Sequence, residues 1–96
     1  MLTIYPAVFF KEELGFSVSF PDLKGCLTEG DSLEEAMEMA QEVLGLYLVS
    51  LEERGILIPI ASALSDVSCC NNEFVTLVST SLEKYRYNSE ILTAVV

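Results

Sequence analysis

The chain changes its apolar rhythm once, near residue 31, and that change divides it into a strand-forming and a helix-forming part. Residues Thr3 to Lys11 concentrate β-branched and aromatic types, with Ile4, Tyr5, Val8, Phe9 and Phe10 favouring a strand, and Pro6 arguing for an edge or an irregular ladder. After a turn over Glu12 to Gly15, Phe16, Val18 and Phe20 alternate with Ser17 and Ser19, the period of a half-buried strand. Pro21 and Asp22 stop that ladder, Gly25 turns the chain, and Cys26 to Glu29 suffices for a short third strand. From Leu33 the spacing becomes three and four: Leu33, Met37, Ala40, Leu44, Tyr47, Leu48 and Leu51 define one helix face, opposite Glu34, Glu35, Glu38, Gln41, Glu42, Val49, Glu52 and Glu53. The pattern predicts a helix from about Ser32 to Arg54, opened by an Asp31 cap with Glu34 reaching back and closed at Gly55. Residues 56 to 72 form a connector, and "FVTLVSTSL", Phe74 to Leu82, reads as a last strand covered on both faces.

Strand, strand, strand, helix, strand has few compact solutions. The amphipathic helix covers one sheet face, and a right-handed crossover brings the last strand in parallel to the first, giving the order 3-2-1-4 in an α/β (α+β) fold. The other face then leaves Phe9 or Phe10 exposed unless something docks, so a homodimer or higher homo-oligomer is expected. A domain over residues 1 to 85 accounts for these elements and leaves 86 to 96 unassigned.

Composition and charge narrow the chemistry. At 96 residues and 51% hydrophobic the chain is a single packed domain, and its net charge of −10 opposes nucleic-acid phosphate and favours basic partners. Residues 31 to 55 carry seven acids and one Arg, a net of −6, so the helix is the acidic element. That face is either a solvated exterior or an electrostatic docking surface. Three cysteines, two of them adjacent at Cys69 and Cys70, form neither a disulfide framework nor a zinc-site spacing and fit a reducing cytoplasm. The N-terminal run lacks a signal-peptide pattern, and no apolar stretch reaches membrane-spanning length.

With no histidine, the commonest general base and every Ser-His or Cys-His pairing are excluded. The "GCLTEGD" stretch is no phosphate loop, and the three acids around the third strand, Asp22, Glu29 and Asp31, are the remaining candidates for a Mg²⁺ cluster. Neither an enzyme, a cofactor nor a small-molecule substrate is expected.

Tyr5 to Pro59, "YPAVFF…SVSFPDLKGCLTEGDSLEEA…LYLVSLEERGILIP", resembles the N-terminal domain of HicB-type antitoxins of type II toxin–antitoxin modules, and "EFVTLVSTSLEKY" resembles that family's last strand. The resemblance implies a non-catalytic, partial ribonuclease-H-like domain whose partner is a small basic HicA-type toxin, an mRNA interferase whose RNA-cleaving surface the antitoxin covers. It gives the acidic face a use, as a mimic of RNA phosphates that steers and occupies the toxin. Candidate toxin contacts are Glu34, Glu35, Glu38 and Glu42 of the helix, with Asp22 and Glu29 at the end of the strand meander. Many members continue into a ribbon-helix-helix or helix-turn-helix module that represses their own promoter. These 96 residues stop short of such a segment, so operator binding is expected only of a longer form. The alternatives are a stand-alone oligomeric module without a toxin and a degenerate metal-dependent nuclease of the ribonuclease-H class.

Overall fold

A computed structural model describes residues 2–86. Its elements run β1 (Leu2–Lys11), β2 (Phe16–Ser19), β3 (Leu27–Gly30), α1 (Leu33–Glu53), a short 3₁₀ turn (Leu64–Asp66) and β4 (Glu73–Ser81). Residues 82–86 are helical. The expected tail over 86–96 lies outside the described residues except for Arg86.

The four strands form one sheet in the order β3-β2-β1-β4, as the pattern predicts. The direction of β4 does not follow the expectation. Leu2 pairs with Ser81 and Phe10 with Glu73, so β4 is antiparallel to β1, and the sheet is antiparallel throughout. The expected parallel return strand is therefore absent, and with it the one strand pairing that agreed with the ribonuclease-H-like fold the resemblance implied. The physical reason lies in the connector. A parallel β4 would have to start where α1 ends, but the segment between Glu53 and Glu73 can extend for roughly 60 Å, about twice the ~32 Å length of a 21-residue helix. It returns along the molecule and delivers β4 beside the far end of β1, where Lys11 N–H donates to the Asn72 carbonyl at 2.8 Å.

The connector is tied down on the way. Both the N–H and the hydroxyl of Ser62 donate to the Asp22 carboxylate, at 2.9 and 2.6 Å, and the Tyr5 hydroxyl donates to the Pro59 carbonyl. Pro6 sits in a central strand, against the edge position its chemistry favours. It is tolerated at a level where β1 has no β2 partner, because that ladder begins only at Val8.

One core holds the layers together. Tyr5, Ala7 and Phe9 of β1, Val18 of β2 and Val78 of β4 meet Ala36, Ala40, Leu44, Leu48 and Leu51 of α1, with Phe20, Leu23 and Cys26 closing one end. Phe9 is fully buried and stacks on Phe74, with ring centroids 5.1 Å apart, whereas Phe10 on the opposite sheet face is 37% exposed. β4 is not covered on both faces as its sequence suggests, since Leu77 is 48% exposed.

α1 starts one residue later than its pattern predicts. Ser32, not Asp31, is the N-cap: its hydroxyl accepts from Glu35 N–H at 3.1 Å, and Glu35, not Glu34, reaches back to the Asp31 N–H at 2.8 Å. The helix ends as expected. Gly55, at φ +69°, donates to Glu52 and Ile56 to Leu51, a paired closure that needs the left-handed backbone glycine adopts at little cost.

Candidate interaction surface

The helix core line follows an i, i+4 row of small residues, Ala36 and Ala40, continued by Leu44 and Leu48. That phase turns Glu34, Glu35, Glu38 and Glu42 outward, and all four are exposed. Val49, placed on the polar side by its spacing, is buried, while Leu33 and Leu46 are exposed. The four glutamates span two turns of one helix, roughly 12 Å along its axis. Glu38 and Glu42, with Gln41, border an open groove of about 460 Å³ closed by Lys84 and Tyr85.

The other two candidate contacts lie elsewhere. Asp22, in the turn after β2, is half-buried and already holds Ser62 through both carboxylate oxygens. Its task is to fix the connector, which sequence spacing had no means of revealing, because the two residues are 40 apart. Glu29 is exposed on β3, opposite Ser17 on the sheet face away from α1. The structure thus brings together four of the six acids and separates the remaining two.

The same positions bear on metal chemistry. Asp22 follows β2 at one end, Glu29 pairs near its other end and Asp31 precedes α1. Among the described residues no group of three His, Cys, Asp or Glu side chains is placed to hold a metal ion. Cys26 is buried, its thiol set against the Val43 carbonyl at 4.0 Å and its pKa pushed up to about 11 by burial. Such a thiol is a packing group, not a nucleophile. Cys69 and Cys70 are exposed and unbridged in the connector.

Arg86 grips Glu52 with two parallel N–H donors, the Nε bond being 2.8 Å, and that hydrogen bonding holds the Glu52 carboxyl below its usual range. The Tyr5 hydroxyl is raised, first by burial and then by the nearby Asp22 charge. No helix among the described residues is long and apolar enough to cross a membrane.

The geometry is that of a helix-backed antiparallel sheet with an outward acidic row on its helix. The chain's relatives specify its family. The model of the HicB-like antitoxins of bacterial toxin–antitoxin systems matches residues 5–91, and the chain belongs to that family. "Antitoxin HicB 2" of Photorhabdus laumondii is 50% identical over 40 residues, which are 42% of this chain and 29% of that protein, so the chain spans under a third of that relative's length. A chain from the solved structure "Toxin-Antitoxin complex from Streptococcus pneumoniae" superposes with a TM-score of 0.82 at 26% identity, covering 88% of this chain and 73% of that one. A chain from the "HicA3 and HicB3 toxin-antitoxin complex" superposes with a TM-score of 0.70 at 22% identity over 82% of this chain and 99% of its own, a likeness of fold.

Proposed function

We propose that this chain binds and neutralises a small basic HicA-type mRNA interferase toxin, masking the toxin's RNA-cleaving surface with the acidic face of α1. The observation that carries this reading is the placement of Glu34, Glu35, Glu38 and Glu42 on one exposed helix row in a member of the HicB-like antitoxin family. The chain's net charge of −10 supports it, because like-signed carboxylates spaced along a helix offer a basic protein a field resembling that of RNA phosphates. Neutralisation then needs no chemistry. The acidic row speeds encounter, and occupation of the toxin surface excludes RNA.

Glu38 and Glu42 are the principal contacts, since the groove beside them leaves room for a guanidinium or ammonium group. Glu35 contributes field while its carboxylate also serves the helix cap, and Asp22 acts through the connector it anchors. Glu29 lies on the opposite sheet face and is not in the same contact row. The domain works in the cytoplasm as a homo-oligomer, and a longer form carrying a DNA-binding segment would add repression of its own promoter. A titration with a small basic HicA-type toxin tests the reading: binding weakens steeply as salt rises from 50 to 500 mM, and RNA cleavage by that toxin stops at stoichiometric antitoxin. Undiminished cleavage at saturation would refute it.

A further inference from the structure

Among the described residues the sheet face turned away from α1 is apolar and nearly uncharged, buried at its centre around Pro6 and exposed on either side of it. Its side chains stand in cross-strand rows fixed by the register: Ile4 beside Ser79, Pro6 beside Leu77, then Leu27, Ser19, Val8 and Val75, then Glu29, Ser17, Phe10 and Glu73. Leu2, Ile4, Leu27 and Leu77 are 62, 47, 64 and 48% exposed, and Phe10 37%. A shallow hollow of about 300 Å³ opens over Val8, Phe10, Ser17, Ser19, Leu27 and Glu73. The rows carry charge only at Glu29 and Glu73, both at the same end.

We infer that this face is the contact between two copies of the chain, packed sheet to sheet. The inference rests on the proposed oligomer and adds the surface that forms it; it does not depend on the toxin reading. The charge distribution selects the occupant. Residues 31 to 55 hold −6 of the chain's −10, on the helix side of the sheet, so two copies of so acidic a protein meet with least repulsion through the opposite face. A basic partner is drawn instead to the side where the carboxylates lie.

The rows are self-complementary. A two-fold axis through the centre of the strip sets the Ile4 and Leu77 end of one copy over the hollow beside Phe10 and Leu27 of its partner, and moves the two Glu29–Glu73 ends apart. Leucines and a phenylalanine meet serines and open space, the interdigitation by which facing sheets fill a layer about 10 Å thick. At strand spacings of about 4.8 Å and about 3.3 Å per residue, the face offers a footprint of roughly 500 Å² per copy, below the ~800 Å² of a standard specific pair and in the range of weak, transient contacts. The dimer is therefore reversible and concentration-dependent. Both α1 helices point outward from it, leaving each acidic row open to its own toxin.

Sedimentation equilibrium on the chain alone, from 1 to 300 μM, tests this. The unmodified protein shows a monomer–dimer equilibrium, and Leu77→Lys and Ile4→Lys each raise the dissociation constant by at least about tenfold, the effect of losing one well-buried apolar side chain and adding a charge. Leu57→Lys and Ile60→Lys, at connector side chains 91 and 93% exposed, leave it unchanged. Circular dichroism and melting show whether each variant is folded, and Leu77→Ser supplies a milder change at the same site. A monomer throughout the range overturns the inference, as does a dimer insensitive to Leu77 and Ile4 in folded variants. So does loss of toxin binding in Leu77→Lys with the unmodified protein monomeric, which assigns the face to the toxin. Failure of toxin binding with the dimer intact bears on the proposed function alone.

Discussion

Ser32 and Asp31 are adjacent residues that both make good helix caps, and "DSLEE" contains two overlapping capping boxes, Asp31 with Glu34 and Ser32 with Glu35. Sequence identifies the motif and leaves its phase open by one residue. The structure settles the phase through the Ser32 hydroxyl and the Glu35 N–H. Ser32→Ala is accordingly expected to cost about 1 kcal/mol, a fall of several degrees in melting temperature, whereas Asp31→Ala keeps its backbone N–H to Glu35 and costs less. Cys26 gives a second residue-scale outcome. Its thiol is protonated in the folded state up to about pH 11, above the unfolded value of 9.0, so its contribution to stability is complete below pH 9 and declines as pH rises through 11. At pH 8 a thiol reagent should titrate two groups, Cys69 and Cys70, in the folded protein and three in denaturant.

At the scale of elements, periodicity located α1 but not the rotation of its buried face. A rule that ranks large apolar residues as core favours Leu33 over Ala36 and misplaces Val49, while the packed helix brings its small residues closest to the sheet. Gly45 shows why. A Cβ built there lies 2.2 Å from the Tyr85 ring, so the glycine lets the 82–86 helical turn lay an aromatic against the helix. Gly45→Ala should stabilise an isolated helix by about 1 kcal/mol, yet in this protein it is expected to lower the melting temperature, because overpacking at a close contact costs about 1 to 3 kcal/mol. In a Tyr85→Ala background that clash is gone, so Gly45→Ala should no longer destabilise there. A melting series of the two single variants and the double variant measures the coupling.

For the whole molecule, the strand order was legible because three consecutive strands of a meander lie side by side and a fourth that returns after the covering helix joins the free edge at β1 rather than the one at β3. The direction of β4 was not. It depends on where a 19-residue connector touches the body, and those touches, Ser62 on Asp22 and Tyr5 on Pro59, are contacts 40 and 54 residues apart that no local pattern encodes. The acidic row was legible as composition and periodicity, and its four helix members do share one exposed face. Asp22 and Glu29 were grouped with them by nearness in sequence, which the turn after β2 and the pairing of β3 undo.

The central claim, that α1 is the docking face, is most directly tested by calorimetric titration of the basic toxin with the unmodified chain and with a Glu34→Gln, Glu38→Gln, Glu42→Gln variant at low and high salt. Glu35 is left in place so that the cap survives. Exposed pairs contribute a few tenths to about 1 kcal/mol each, so the account predicts a loss of roughly 1 to 3 kcal/mol at low salt that shrinks toward zero at high salt. Equal affinity of the two proteins at low salt, with both folded, would contradict it.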